Sequence, residues 1–556
     1  MLDTRPSRAT FGEMLVAIAA GCAAFWYAVG VRVLDVTNVR WLLVGDSAQA
    51  YLGWEFFRKT PLLQWPLGDN PNFGTGFSSS IVFADGIPLV SIVLKPLVAW
   101  YDGPFQFHGW WLLLAFVLQS VLTVKMLERL GTGRMIRVLA LPLVLLQPAF
   151  LDRIRFEGYG HLGLSAHWLM LLGIWLFLRR EATHQQWALA LLLAIGVTLY
   201  YFVVLGVFYV GWVVVRVIGS QSRLTTLGKE SAHMGISGLA AVVFVWIIGG
   251  LASTSLGDTG LGVYRATLTS LVDPATLDGV SWTRLLMIGD ITNQFGTQEG
   301  FAFLGVASIV LAVTAFFMFR EWAPRAFTMH SAVLAAVTAV FVALALSPRI
   351  AIGPREIATY QVPNIMSNVL SVVRASGRLM WIPMYLVMFF AIVVIGQRLV
   401  TGSRVALSLL IIVVLFHIVD TASGVNDVRS RFNDTQPTFV TDDSRWDEWA
   451  RGKQHLIAIP PLSNDPRWLD LALLAERNGL TTNAAYVSRK DEAKFVELSL
   501  RLQSVLERRE FANDTLYVIT NYPPNPESPK LLAEDLAEPD GRLRVYQVEG
   551  LTVVVP

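Results

Sequence analysis

The residue with the clearest capacity for chemistry is Asp46, in the stretch VRWLLVGDSAQAYLGWEFFR. A carboxylate held against a hydroxyl can take its proton as the oxygen attacks, which is general-base work. Asp46 lies in the first long polar interruption after the first apolar stretch, residues 35–105. The same interruption carries Asp69 in WPLGDNPNFG, Asp85 in FADGIP, and the aromatics Tyr51, Trp54, Phe57 and Trp65. Asp69 and Asp85 stand in turn contexts, where Asp is common for backbone reasons. Asp46-Ser47-Ala48-Gln49 fits a helix cap with Gln three residues on. Ala50, Tyr51, Trp54 and Phe57 then fall at helical spacing, which predicts an amphipathic helix on a membrane surface. A cap uses one carboxylate oxygen and leaves the other for chemistry. Trp54, Phe57 and Trp65 are expected to form a groove that excludes water.

Cations that could meet this acid are arginines in distant connections. Arg153 and Arg155 occur in LDRIRFEGYGHLGLSAHW, and Arg374 and Arg378 in SVVRASGRLMWIP. A guanidinium offers phosphate a rigid fork of donors, and the four-residue spacing of Arg374 and Arg378 puts both on one face of a helix. The alternative role is anchoring to lipid headgroups. His161 and His167 lack companion ligands at zinc-site spacing, so each is a hydrogen-bonding or structural histidine. Glu299, in NQFGTQEGFAFLG, is placed to meet a substrate hydroxyl or to pair with an arginine. No metal site is expected.

The elements that must position these residues are membrane helices. The chain has 556 residues, of which 54% are hydrophobic and 15% charged, with a net charge of +2. That composition belongs to a polytopic membrane protein. The one cysteine, Cys22, excludes a disulfide framework. No GxGxxG or Walker-type loop occurs, which argues against a cytosolic nucleotide site. Apolar stretches fall near 12–34, 106–127, 135–151, 162–178, 186–200, 202–218, 232–252, 301–319, 329–346, 380–397 and 404–420. The run 186–218 is too long for one crossing and short for two. With a break near Tyr200-Tyr201, Arg5/Arg8, Arg129/Arg134/Arg137, Arg179/Arg180, Arg216/Arg223/Lys229, Arg320/Arg325 and Arg398/Arg404 all fall on one side. That is the positive-inside pattern. It predicts about eleven spans, an N-terminal signal anchor with its terminus in the cytoplasm, and an extracytoplasmic C-terminus. The loops 35–105, 152–161, 253–300 and 347–379 then share the outer side. Residues 87–99 read as a re-entrant or surface helix. Few ionisable groups sit inside the spans, unlike the interior of an ion-coupled transporter.

After residue 420 the composition changes. GKQHLIAIPPL reads as a strand and turn, DPRWLDLALLAERNGL as a helix begun by Asp465 and Pro466, and DEAKFVELSLRLQSVLERR as a second helix. DTLYVIT is a strand, and LRVYQVEGLTVVVP a hairpin turning at Glu549-Gly550. The expected organisation is a transmembrane module, 1–420, and a small extracytoplasmic α/β domain, 421–556.

This arrangement resembles the GT-C superfamily of membrane glycosyltransferases: many spans, a long first outer loop with an acid soon after span one, and an outer C-terminal domain. More narrowly, GDSAQAYLGWEFFR, PLGDNPNFG, SSIVFADGIPL, EGFAFLG and VRASGRLMW resemble a family of bacterial GT-C-like proteins. The resemblance implies a sugar donor linked to polyprenyl phosphate, and transfer with inversion to an envelope glycan, lipid or protein at the outer face of the cytoplasmic membrane. It maps the superfamily's first-loop acid onto Asp46. Some members have Asp-Asp or Asp-Glu there. This chain has Asp-Ser, which makes metal dependence less expected. On this reading Arg374, Arg378, Arg153 and Arg155 bind donor phosphate, and Tyr51, Trp54, Asp69, Asp85, His161, His167 and Glu299 contact substrate. Two other functions fit the composition. A flippase or transporter would need a continuous polar path through the spans. A non-catalytic envelope assembly factor would tolerate substitutions of the outer Asp and Arg residues.

Overall fold

The computed structural model describes residues 8–77, 80–155, 161–251, 262–276, 280–285, 296–319, 328–362, 375–400, 404–433, 437–463, 465–520, 536 and 543–556. Among these, six helices are long and apolar enough to cross a membrane. They are α1 (Phe11–Ala28), α4 (His108–Arg129), α10 (Leu199–Ile218), α11 (Arg223–Ile247), α13 (Met329–Leu346) and α14 (Trp381–Val400, whose apolar stretch begins at Ser376). A seventh is formed if α15 (Arg404–Asp420) and α16 (Ala422–Asn433), bent by 43°, count as one. The intervening apolar helices are α8 (His167–Leu178), α9 (His184–Val197) and α12 (Val306–Phe319), of 12, 14 and 14 residues. At 1.5 Å per residue they reach about 18–21 Å, short of the roughly 30 Å of bilayer hydrocarbon. The stretch 135–151 is three short helices, α5 (Arg134–Leu139), α6 (Leu141–Leu145) and α7 (Pro148–Asp152). Pro142 and Pro148 each fall in the first turn of a new piece, where proline fits, rather than inside a continuous helix, where it does not.

The run 186–218 is two helices, with the break at Thr198, two residues before the tyrosines. Thr198 is extended (φ −162°, ψ 141°) and joins α9 directly to α10. Trp187 stacks on Tyr209 with ring centres 5.4 Å apart, so α9 and α10 form a hairpin about Thr198. Arg129 donates to the carbonyl of Leu178 (3.1 Å) and the Trp212 indole to that of Arg179 (3.2 Å), which gathers the C-terminal ends of α4, α8 and α10 at one end of the bundle. The N-terminal ends of α4, α8, α10 and α14 converge at the other. There Trp111 packs on Trp168, and His167 and Tyr200 on Trp381.

Two further helices precede α4. The first, α2 (Gly45–Arg58), follows the polar turn after α1, and α3 (Pro88–Val98) packs against it. The sequence predicted α2 on a membrane surface, but Ser47–Arg58 are buried on every face. The reason is its polar set. Glu55 and Arg58, both buried, pair at 2.7 Å, and Arg58 donates to the carbonyls of Tyr101 and Gly103. Gln49 donates to the Phe83 carbonyl (2.8 Å), Trp54 to the Phe105 carbonyl (2.9 Å), and Asn70 to the Gly53 carbonyl (2.9 Å). The loop after α2 thus folds back over it and satisfies groups that burial would otherwise penalise.

The connection after α13 holds an unexpected hairpin, β1 (Arg349–Ile352) and β2 (Arg355–Thr359). The C-terminal part has the strands β3 (His455–Ile459), β4 (Thr481–Thr482), β5 (Thr515–Thr520), β6 (Arg544–Val548) and β7 (Leu551–Val555) in the order β4-β3-β5-β7-β6. β3 runs parallel to β4 and β5, while β7 is antiparallel to β5 and β6. The β6–β7 turn is at Glu549 (φ 46°) and Gly550 (φ 79°), the two left-handed residues of a tight hairpin turn. After the short α17 (Arg445–Ala450), the amphipathic helices are α18 (Trp468–Arg477) and α19 (Glu492–Arg508). Asp465 lies two residues ahead of the α18 cap and binds the backbone and guanidinium of Arg467.

Candidate active site

Asp46 is in the first turn of α2, not at its cap. Val44 holds the cap position and no side chain caps the helix. The carboxylate is therefore free of the expected backbone bond, and it sits where the helix dipole favours a negative charge. It faces His161, the residue before the turn Leu162–Ser165. His161 Nε2 lies 3.3 Å from Asp46 Oδ2, and His161 Nδ1 lies 2.9 Å from Asp85 Oδ2. Both ring nitrogens thus meet carboxylates, an arrangement satisfied by the imidazolium, in which both donate. Burial opposes charge on His161, but Asp46 and Asp85 outweigh it and raise its pKa. Burial likewise pushes Asp85 up, yet the hydrogen bond and charge of His161, helped by Arg378, hold it below the usual range. Asp46 is raised, first by burial and then by the charges of Asp85 and Glu299, against the pull of His161 and Arg378. Asp85 anchors the imidazole, and Asp46 is the more basic carboxylate.

The second half of the site is a carboxylate between two guanidiniums. Arg378 Nε lies 2.6 Å from Glu299 Oε2, and Arg153 Nη1 lies 2.9 Å from the same oxygen. Arg153 is 1% exposed and its Nη2 donates to the Gln298 carbonyl (2.8 Å) and lies towards Asp152 (3.6 Å), while its Nε is buried without a hydrogen bond. Arg378 differs: among the described residues its terminal nitrogens have no partner, and its guanidinium lies 5.9 Å from the ring of Tyr200. The two arginines hold Glu299 far below the ordinary carboxylate range despite its burial. Tyr200 Oη is buried without a hydrogen bond. Tyr200 was expected only to mark a helix break. Nothing in the local sequence marks it as a site residue; it stands in the first turn of α10, at the end of the bundle where Trp381 packs.

Close backbone packing sets the Glu299–Arg378 contact. Gly300 and Gly377, each next to one partner, lie against one another: a Cβ on Gly377 would come within 2.8 Å of the Gly300 backbone and 2.7 Å of Arg265 C. The Gly377 N–H also donates to the Tyr264 carbonyl (2.9 Å). Only glycine lets these turns approach so closely. Gly377→Ala is expected to cost about 1–3 kcal/mol through forced backbone displacement, read as a lower thermal midpoint of the detergent-solubilised protein.

The other expected site residues have partners of their own outside the two clusters. Arg155 Nε faces Asp152 (3.2 Å), and its Nη1 faces Asp427 (3.5 Å) and Thr276 (3.5 Å). His167 Nδ1 meets the Tyr385 hydroxyl (2.9 Å), which accepts from Gln119 (2.8 Å), below Trp381. Asp69 is in a turn bridged to Ser80. Tyr51, Trp54 and Phe57 are buried in packing, and Trp65 packs on Trp246, so these aromatics do not form the expected open groove. Arg374 lies outside the described residues. Among the described residues no cluster of three or more His, Cys, Asp or Glu is arranged to hold a metal ion.

The fold and the site together define a multi-pass helical membrane protein with a half-buried acid–histidine–acid relay beside an arginine–glutamate cluster. The chain belongs to the family described as "Domain of unknown function (DUF6311)", whose model matches residues 18–422, and residues 445–556 match the "DUF6311 C-terminal domain". No curated protein matches the sequence. Among solved structures, the chain is similar to the archaeal oligosaccharyltransferase AglB from Archaeoglobus fulgidus in complex with an inhibitory peptide and a dolichol-phosphate. That likeness has 10% identity and a TM-score of 0.40, and covers 92% of this chain and 69% of the other. The apo form of the Archaeoglobus fulgidus oligosaccharyltransferase matches at 11% identity and a TM-score of 0.41, over 91% and 69%.

Proposed function

We propose that this protein is an inverting glycosyltransferase of the GT-C type. On this reading it moves a sugar from a polyprenyl-phosphate donor to an envelope glycan, lipid or protein acceptor at the outer face of a bacterial cytoplasmic membrane. On the same reading its N-terminus lies in the cytoplasm and its C-terminal α/β domain outside. The observation that carries the reading is two unlike charge clusters close enough for the charges of Glu299 and Arg378 to act on Asp46. One is a basic carboxylate tuned by a histidine, and the other an arginine with unused donors held by Glu299.

The acceptor hydroxyl oxygen bonds to the anomeric carbon from one face while the bond from that carbon to the phosphate oxygen breaks on the other. Asp46 takes the hydroxyl proton. The departing phosphate keeps the bonding electrons, and the free nitrogens of Arg378, with the Tyr200 hydroxyl, donate to its growing charge. Glu299 fixes the Arg378 fork in place, and Arg153 anchors Glu299. The assay is direct. Purified protein in nanodiscs is given a panel of polyprenyl-phosphate monosaccharides and envelope acceptors, and mass spectrometry follows free polyprenyl phosphate and glycosylated acceptor. Both products should appear in step. Movement of the lipid-linked sugar across the bilayer with no glycosidic bond formed would replace this reading by a flippase.

The pH profile tests the relay. His161 lowers the Asp46 pKa against burial. His161→Gln removes that help, so the acidic limb of kcat/KM should move to higher pH. An unmoved limb would place the titrating base elsewhere.

A further inference from the structure

We propose that the C-terminal domain sets the geometry of the Asp85–His161–Asp46 relay through a latch on the Phe83 carbonyl, with Ser488 as the positioning residue. This rests on the glycosyltransferase reading only for its kinetic readout. The loop between α2 and Asp85 is gripped by the domain at two points. At the first, Gly74 and Thr75 donate to the Thr482 carbonyl (both 2.9 Å), and Thr482 donates to the Asn72 carbonyl (3.0 Å). The loop thereby pairs with β4, the edge of the sheet, in parallel register at Phe73. Phe73, fully buried, stacks on Phe56 of α2 (5.3 Å) and meets Trp468 of α18 edge-on (6.2 Å). At the second point the Phe83 carbonyl accepts three hydrogen bonds: from Gln49 Nε2 (2.8 Å), from the Ser488 N–H (2.8 Å) and from Ser488 Oγ (2.9 Å).

Gln49 is one turn from Asp46 on α2, and Phe83 is two residues before Asp85, so one carbonyl ties both carboxylates of the relay to the domain. The backbone here needs tying. Asp85 (φ 56°) and Ile87 (φ 49°) are both left-handed, a region costly for a β-branched residue and sustained only where the surroundings enforce it. The domain supplies part of that enforcement. The Asp85 carboxylate keeps its 2.9 Å contact with His161 while the latch is closed.

The test uses the full chain in nanodiscs. Ser488→Pro removes both donors, Ser488→Ala removes the hydroxyl alone, and Ser488→Thr restores it. The amides of Phe83 and Gly86, bonded within the loop to Ser80 and Ile81, report its opening by hydrogen exchange. Loss of both hydrogen bonds, each of small net worth, gives roughly tenfold faster exchange in Ser488→Pro, with a smaller increase in Ser488→Ala, which loses one, and recovery in Ser488→Thr. In parallel kcat should fall with little change in KM. Wild-type exchange in Ser488→Pro, or in Ser488→Ala if the proline variant does not fold, overturns the latch. So does faster exchange with unchanged kcat. If the wild type transfers no sugar at all, the glycosyltransferase reading fails, while the exchange data still decide the latch.

Discussion

Asp46→Asn should lose about 10²–10⁴-fold in kcat, the usual contribution of a positioned general base, while the protein becomes slightly more stable. The two effects share one cause. Burial and the charges of Asp85 and Glu299 raise the Asp46 pKa in the fold. A carboxylate with a raised pKa contributes stability that is full below its unfolded value and lost as the pH rises through its folded value, and above both its charged form opposes folding. Asparagine keeps the shape and a hydrogen-bonding partner for His161 but removes that charge. A rise in the thermal midpoint at pH 7, together with loss of transfer, is the signature of a residue kept for chemistry at the expense of stability. If Asp46 served only the helix start, the variant would be active and less stable. Turnover and thermal midpoint on the same preparation separate these outcomes.

Glu299→Ala should be among the most damaging substitutions to the fold, costing about 3–5 kcal/mol by removing the shared partner of two guanidiniums. Arg153 is 1% exposed and cannot turn to water for compensation. Arg378 would keep its charge and lose the contact that aims it. Glu299→Gln retains the shape and one acceptor and should cost less. The pH dependence has a definite sign. The Glu299 pKa is depressed by Arg378 and Arg153 against burial. Its stabilisation is therefore complete above the ordinary glutamate value of 4.5 and lost as the pH falls below it. The wild-type thermal midpoint should fall on acidification below about pH 4.5 more steeply than that of Glu299→Gln. Equal slopes would mean that the ion cluster contributes nothing to the fold.

Much of this was legible in the sequence, because the strongest signals are local. The break in 186–218, the helices of the C-terminal domain and the hairpin at Glu549-Gly550 follow from apolar periodicity, charge bias and turn chemistry. The acid in the first polar loop, and Glu299 as a partner for arginine, were read from residue type and position alone. The long-range partnerships were not legible. Nothing in FADGIP shows that Asp85 lies against His161, 76 positions away. The helix after Asp46 has the spacing of a surface helix, and its burial depends on Phe83, Tyr101, Gly103 and Phe105 folding back over it. Arg153 and Arg378 looked alike as candidate phosphate ligands. They differ because Glu299, Gln298 and Asp152 engage the terminal nitrogens of Arg153, while Arg378 meets Glu299 through Nε and keeps its terminal nitrogens. Tyr200 is silent in the sequence because a tyrosine at a helix start is ordinary until an arginine is packed on its face.

The measurement closest to the central claim is a cryo-electron microscopy structure of the full chain with a non-hydrolysable polyprenyl-phosphate sugar analogue. The account predicts the phosphate within hydrogen-bond distance of Arg378 Nη1 or Nη2, and the anomeric carbon open on its far face towards Asp46. A phosphate bound away from Arg378, or a sugar separated from Asp46 by packed protein, would contradict it.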